Sequence, residues 1–416
     1  MNDTEAGESL AGSARLVEAI RRGYSITDER VLAALQAVDR RPFLDAAEGV
    51  QEGGGAVDPY ADRPYSVRRA ADGTPASSAT APGLCAQMIQ ALELAPAASV
   101  LEIGAATGYN AALLGHVVGP AGSVVSVEID PELAELAAVS VRRAGMERVT
   151  VRHGDGWAGY HDRAPYDAVI ATMACWAVSP AWLEQLRPGG RFVAPLWLGP
   201  DFEAVAAMRR TSHGLDGRLL LLCSFNEPRG QAGGPRLSVR DSRAPGATLE
   251  VSAQLGGNPE TLQKAQDIIL AAEPAHTEVR TLVPSWFLRV ALSDPGAFSL
   301  QRSEGNVIIN LSGILDPETG SCAWLERRLR REPDPPHRMI GELRWAHVGQ
   351  PDILEHLQRY AANPHELGLA NLRLSIGAPQ TPAPIDNSPH WELQRSGLVW
   401  RLWDEGQARR DRITQP

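Results

Sequence analysis

Val100-Leu-Glu-Ile-Gly-Ala-Ala-Thr-Gly-Tyr-Asn110 is the stretch whose reading decides the fold. The apolar residues from Ser99 to Ile103 read as a buried strand, and helical spacing resumes at 108 and runs to 118. Gly104 ends the strand and Gly108 opens the helix. The chain must therefore turn sharply between them, and it lets a ligand approach bare backbone near a helix N-terminus. The Gly104-x-x-x-Gly108 spacing is not the G-x-G-x-x-G turn that holds a pyrophosphate, which favours a cofactor without phosphates over a dinucleotide. Taken alone, the same pattern also suits an ordinary strand-to-helix connection, and the neighbouring segments decide between the two.

Strand and helix patterns alternate on both sides of this turn. A helix is expected over 82–94, then strand Ser123 to Ile129, helix 131–144, strands Val149 to Arg152 and Tyr166 to Ala171, helix 180–186 and strand Arg191 to Leu196. Pro188-Gly-Gly190 marks a turn, and Leu219 to Phe225 reads as a later strand that closes the sheet. Such alternation implies right-handed crossovers and an α/β fold with a doubly wound, Rossmann-like parallel sheet. In that fold Glu128, at the end of the second strand, can accept both hydroxyl protons of a ribose bound at the switch point. Asp155, in His153-Gly-Asp-Gly156, falls where the attached adenine would lie and can accept its exocyclic amine; a plain turn aspartate is the competing reading. Asp167, at the start of the fourth strand, is read as a turn cap.

Upstream, Arg15 to Arg22 and Asp28 to Val38 carry helical spacing, with Asp28 or Thr27 as the second helix's cap, while Gln51 to Thr74 is too irregular for an element. Downstream, Arg229 to Pro245 is rich in Gly and Pro in a polar context, the composition of a linker. The expected division is 1–75, an N-terminal helical segment and loop; 76–230, the cofactor-binding domain; 231–246, the linker; and 247–416, a separate C-terminal α+β domain. Within the last, strands are expected over Ala247 to Leu255, Trp286 to Leu292, Asn306 to Leu311, Leu372 to Ile376 and Leu398 to Trp403, with helices near 260–272, 321–331 and 350–362. Trp286, Phe287, Trp324, Trp345, Trp391, Trp400 and Trp403 are candidates there for a recognition surface, or else core.

Composition narrows the function. A chain of 416 residues exceeds one ordinary core, and a net charge of -10 opposes binding to a phosphate backbone, so nucleic acid is not an expected partner. Cys85, Cys175, Cys223 and Cys322 show neither metal-ligand spacing nor a disulfide framework, and no metal is expected. No apolar run reaches the ~18 residues of a membrane span, and the acidic N-terminus is no secretory signal, which gives a cytoplasmic expectation.

Several ordered segments together resemble the protein-L-isoaspartate (D-aspartate) O-methyltransferase family over about Leu16 to Gly230. They are Asp39-Arg-Arg-Pro-Phe43, Tyr60-Ala-Asp-Arg-Pro64, the turn at 100–114, Val151-Arg-His-Gly-Asp-Gly-Trp157, Ala164-Pro-Tyr-Asp-Ala-Val169 and Leu186-Arg-Pro-Gly-Gly190. The resemblance implies S-adenosyl-L-methionine as cofactor, held by Glu102, Gly104, Ala105, Ala106, Thr107, Gly108, Glu128, Ile129, Asp155 and Gly156. It further implies that Ser78-Ala-Thr-Ala-Pro82 stands for the family's Thr-x-Ser-x-Pro segment, with Thr80 and Ser78 as catalytic hydroxyls and Ser77, Pro82, Phe225 and Arg229 facing the substrate. On the residues alone, Ser77, Ser78 and Thr80 also suit a plain loop or helix cap.

The chain departs from the family pattern in four ways. Gly83 stands where His or Tyr is usual, Ala106 replaces the middle glycine, Phe225-Asn-Glu-Pro-Arg-Gly230 replaces an apolar substrate-gripping segment, and the chain continues far beyond it. That extension resembles the one on methyltransferases of ribosomal peptide natural products, in which an aspartate is esterified and closes to an aspartimide. An ionised carboxylate needs no general base, so the lack of a catalytic His or Lys is expected. The expected partner is a peptide or protein bearing an aspartyl or isoaspartyl carboxylate. The preferred substrate is an aspartate in one chosen peptide; the alternatives are isoaspartyl repair and a degenerate homologue that only binds peptide.

Overall fold

The computed structural model describes residues 3–44, 58–69, 75–226, 229–232, 238–240, 248–251, 267–268, 275–279, 286–304, 307–331, 339–362, 369–380 and 390–405. Three helices lead the chain: α1 (Asp3–Gly23), α2 (Glu29–Ala37) and the short α3 (Arg41–Leu44). Asp28 is the cap of α2, its carboxylate accepting the Arg30 N–H at 2.9 Å. Leu16 and Ile20, one turn apart on α1, and Val31, Leu32 and Leu35 on α2 are buried in one apolar cluster with α4 (Pro82–Ala91) and α5 (Tyr109–Val118). The segment expected to be irregular up to Thr74 contains β1 (Tyr65–Arg69), which pairs antiparallel with β2 (Pro75–Ala79), Ser66 opposite Ser78. Its Ser- and Arg-rich residues carry little strand signal, and the pairing partner supplies what the composition lacks.

The expected parallel sheet is present. β3 (Ser99–Ile103), β4 (Ser123–Glu128), β5 (Val149–His153), β6 (Tyr166–Ala171) and β7 (Leu186–Gly199) run parallel in the order β7-β6-β3-β4-β5, with α5, α6 (Pro131–Arg143) and α7 (Pro180–Gln185) in the crossovers. Val100, Leu101, Val169 and Ile170 have essentially no exposed surface, as strands covered on both faces require. The order reverses between β3 and β6, so the switch point lies at their carboxyl ends, beside Gly104 and Thr172.

Beyond β7 the structure corrects the sequence reading. β8 (Phe202–Thr211) was not expected, its Ala-rich run being a poor strand former, and the later strand is β9 (Gly214–Leu222), ending before Phe225. The second correction concerns domains. Three strands from the far end of the chain, β17 (Leu372–Gly377), β18 (His390–Arg395) and β19 (Leu398–Asp404), join the same sheet, extending it as β18-β19-β17-β9-β8-β7. One compact unit is therefore Met1–Leu196 with Ala204–Gly233 and Arg373–Trp403; the other is Trp197–Glu203, Gly234–Leu372 and Asp404–Pro416. The expected boundary at 247 fails because β9 has an open edge that β17 pairs, Ile376 opposite Leu215 and Leu374 opposite Gly217.

The second unit is the expected α+β body, built differently. Its antiparallel sheet has the order β10-β11-β13-β14-β15-β16-β12, from β10 (Ser238–Arg240), β11 (Thr248–Val251), β12 (Ala275–Glu278), β13 (Ala297–Glu304), β14 (Val307–Asp316), β15 (Ser321–Arg331) and β16 (Met339–Val348). β10 occupies part of the expected linker. Two elements were misread. Trp286 to Leu292 is a helix, α8 (Trp286–Ser293), burying Trp286, Phe287 and Val290 at helical spacing despite its strand-like composition. The expected helix over 321–331 is β15. Its neighbours β14 and β16 both pair with it, and its two faces feed two clusters, Cys322 and Trp324 in one and Ala323 and Leu325 in the other. The helix near 350–362 is α9 (Asp352–Ala361), and that near 260–272 lies almost wholly outside the described residues. Of the seven candidate surface aromatics only Trp391 is not buried; they are core.

Within the first unit the β18–β19 hairpin is anchored to the loop after β6 through Arg395. Its guanidinium is buried between Trp176, 4.0 Å from the ring centroid, and Trp400, 4.6 Å, and donates to the Trp176 carbonyl at 2.9 Å. Burial pulls its pKa down to about 9, which leaves it protonated at neutral pH. A chain cut after Ala232 loses β17 to β19 and with them the buried Leu374, Ile376, Trp400 and Leu402, each worth about 1.5–3 kcal/mol of burial. We predict that it melts well below the intact chain and associates through the bare β9 edge; an unchanged melting curve with a monomeric profile would contradict this topology.

Candidate active site

A cleft of about 580 Å³ opens at the carboxyl ends of β3, β4, β5 and β6. Glu128 closes its floor. The carboxylate is 4% exposed; Oε2 accepts the Ala106 N–H at 2.8 Å and Oε1 the Asp130 N–H at 3.0 Å. Glu128 thereby ties the glycine turn after β3 to the start of α6. Gly104 (φ +97°) packs so closely on β6 that a Cβ would lie 2.8 Å from Thr172 Oγ1, which donates to the Gly104 carbonyl. Ala106 takes a left-handed φ of +46°, so the methyl is accommodated where glycine would be unstrained.

Asp155 stands at the cleft and also takes the turn role. It lines the cleft, and Oδ1 caps the short 3₁₀ turn Gly156–Ala158 by accepting the Trp157 N–H at 2.9 Å. Its Oδ2 accepts the Gln231 N–H at 2.9 Å, which brings the segment after β9 over the cleft. Arg229, expected on the substrate side, lines the cleft and pairs with Glu128 at 3.4 Å and Asp130 at 3.3 Å.

Of the expected cofactor residues, Gly104, Ala106, Glu128, Ile129, Asp155 and Gly156 line the cleft, whereas Glu102, Ala105, Thr107 and Gly108 do not. Gly108 (φ +87°) serves packing: a Cβ there would press on Val141 and the Ala137 carbonyl of α6. Glu102 is fully buried beneath the turn, holding Asn110 Nδ2 at 2.7 Å and the Ser126 hydroxyl. Burial pushes its pKa up to about 7 against the two hydrogen bonds that favour the ion, and the charge of Glu128 adds to the rise.

Of the residues expected at the acceptor, Ser77 and Ser78 line the cleft; Thr80, Pro82 and Phe225 do not. The strand alternation of β2 ends at Ala79, and the chain turns there into α4. Thr80 is held by its carbonyl, which accepts from Arg40 at 3.0 Å. Arg40, from the Asp39-Arg-Arg-Pro-Phe43 segment, is buried and also donates to the carbonyls of Pro59, Ala61 and Arg63. Pro82 occupies the first turn of α4, and Phe225 packs against the apolar core. At Gly83 a Cβ would lie 2.3 Å from the Tyr24 ring, so Tyr24 occupies that space, and the Gly83 N–H donates to Asp62 at 2.7 Å.

Ala76, Ile103, Val127, Trp157, Thr172, Met173, Asn226 and Ala232 also line the cleft and were not singled out from sequence. Thr172 and Met173 directly follow β6, the position that had marked Gly104 and Glu128 on their strands. Asn226 lies in the segment noted for departing from an apolar pattern.

Residues 11–216 match the model of the protein-L-isoaspartate(D-aspartate) O-methyltransferase family. A protein-L-isoaspartate O-methyltransferase of Koribacter versatilis is 34% identical over 212 residues, covering 51% of this chain and 88% of its own length. The chain belongs to the protein-L-isoaspartate O-methyltransferase family. The enzyme of the same name from Methanopyrus kandleri is 35% identical over 209 residues, 48% of this chain and 86% of its own. A solved structure of a protein-L-isoaspartate O-methyltransferase shares the fold at a TM-score of 0.51 and 22% identity, covering 88% of this chain and 96% of its own. That shared fold runs well past residue 216.

As a member of this family the chain is a carboxyl methyltransferase whose cofactor is S-adenosyl-L-methionine. Its residues fit that group: bare backbone at Gly104, a buried carboxylate at Glu128 for a ribose and Asp155 where an adenine amine would lie. Replacing Glu128 by Gln should weaken S-adenosylhomocysteine binding in calorimetry by about ten- to a hundred-fold, the worth of hydrogen bonds to a charged group; an unchanged Kd would remove Glu128 from the site. Glu102 gives a pH signature. Between about 4.5 and about 7 the folded chain keeps a proton that the unfolded chain loses, so this residue costs stability as pH rises through that window and no further above it. A Glu102→Gln chain should therefore gain on the unsubstituted one across the window, by roughly 3 kcal/mol. Parallel pH profiles in urea melts would show that Glu102 does not titrate there.

Proposed function

We propose that the chain methylates the side-chain carboxylate of an aspartyl residue in one chosen, ribosomally made peptide in the cytoplasm, and that the ester then closes to an aspartimide. The observation that carries this reading is the acceptor wall, where Ser78 faces a polar residue, Asn226, in the segment that is apolar in the resembling repair enzymes. A wall of that kind suits an acceptor other than the general isoaspartyl one.

When bound, S-adenosyl-L-methionine supplies an electrophilic methyl group on a sulfonium centre. The chain's own residues orient the acceptor. A carboxylate is ionised at pH 7 and can only accept hydrogen bonds, so donors on one oxygen fix which of the two is free to attack. Ser78 takes that role rather than Thr80, which lies outside the cleft lining, and Ser77 stands next to it. The gain comes from orientation and from excluding water, not from proton transfer. After esterification methoxide is the leaving group, and the following backbone nitrogen attacks the ester carbonyl to close the five-membered ring.

Repair of isoaspartyl residues is the second reading. What favours it is the solved protein-L-isoaspartate O-methyltransferase whose shared fold covers 88% of this chain, since an extension of similar fold then accompanies the repair name. Methyl transfer to arbitrary short isoaspartyl peptides, followed by methanol release, separates the two: efficient turnover establishes repair and sinks the chosen-peptide reading. With whichever acceptor is turned over, Ser78→Ala should slow methyl transfer by about ten- to a hundred-fold and leave cofactor affinity alone; full activity would take Ser78 out of the acceptor site.

A further inference from the structure

Asn226 joins two walls of the cleft that are distant in sequence. Its backbone carbonyl accepts the Ala174 N–H at 3.1 Å, which fixes it to the loop after β6, and its side-chain amide donates to Ser78 Oγ on β2 at 3.1 Å. Both side chains line the cleft, next to Met173. Among the described residues Ser78 Oγ makes no other hydrogen bond. A hydroxyl has one proton and two lone pairs. With a lone pair committed to the amide, the Ser78 proton points away from Asn226 and stays available to an acceptor in the cleft.

We propose that Asn226 is a positioning residue for methyl transfer: by donating to Ser78 Oγ it makes Ser78 a directed donor to the acceptor carboxylate. The inference rests on the reading of Ser78 given under Proposed function. An apolar side chain at 226 would leave the hydroxyl free to rotate, and an acceptor there would turn its proton away from the substrate. Asn226 also places no charge beside the substrate carboxylate, which an aspartate of the same size would repel.

That contrast supplies the test. Turnover of the methylated peptide and S-adenosylhomocysteine affinity are measured for Asn226→Asp, Asn226→Ala, Ser78→Ala and the Ser78→Ala/Asn226→Ala double variant. Asn226→Asp should lower kcat by about ten-fold or more at pH 8 while leaving the calorimetric Kd unchanged. In the Ser78→Ala background Asn226→Ala should cost nothing further, because the residue it orients is gone. A slow Ser78→Ala with a normal Asn226→Asp overturns this inference alone. So do losses that multiply in the double variant. A normal Ser78→Ala overturns the acceptor reading and this inference with it.

Discussion

A carboxylate at the carboxyl end of a buried parallel strand has to find hydrogen-bond donors, because an ion buried without them costs several kcal/mol. Glu128 finds its donors in three separate segments: the Ala106 N–H in the turn after β3, the Asp130 N–H at the start of α6 and the Arg229 guanidinium from the segment after β9. These partners set the shape of the cleft. The first holds the backbone turn open to a ligand, the second aligns α6 behind it and the third draws residues 229–232 across the opening, where the Gln231 N–H completes the closure on Asp155. Arg229 also places a cation at Glu128 Oε1.

The wall formed by Ser78 and Asn226 depends on a different part of the molecule. Asn226 is held by Ala174, and the loop carrying Ala174 runs on to Trp176, which is gripped by Arg395 from the end of the chain. The last strands are thus continuous with the sheet that carries the cleft. The second unit, in contrast, has its own antiparallel sheet with two apolar clusters, and Trp286, Trp324 and Trp345 are spent on that interior.

The parallel sheet and the cofactor turn were legible in the sequence because β3 to β7 are buried on both faces and punctuated by glycine and helix patterns at regular intervals. The position of Glu128 and Asp155 in the cleft followed from fold position alone. Glu102 was not separable from them, since a strand-end carboxylate and one buried two residues before the turn look alike until the Asn110 and Ser126 donors are seen. Thr80 was misplaced because the end of β2 cannot be read from Ser-Ser-Ala-Thr-Ala, and side-chain direction depends on it. The return of β17 to β9 was invisible for a related reason: pairing between strands as far apart in sequence as Leu215 and Ile376 leaves no local trace, whereas an intervening Gly- and Pro-rich stretch looks like a domain border. β15 misled by composition, its Glu-Arg-Arg-Leu-Arg-Arg run being helix-forming until two neighbours pair with it.

A crystal structure of the full chain with S-adenosyl-L-homocysteine bears most directly on the account. Both ribose hydroxyls should lie within hydrogen-bond distance of Glu128, with the adenine amine at Asp155 and the Arg229 side chain withdrawn from the Glu128 oxygens. A nucleoside bound elsewhere, with Arg229 still paired to Glu128 and Asp130, would contradict it.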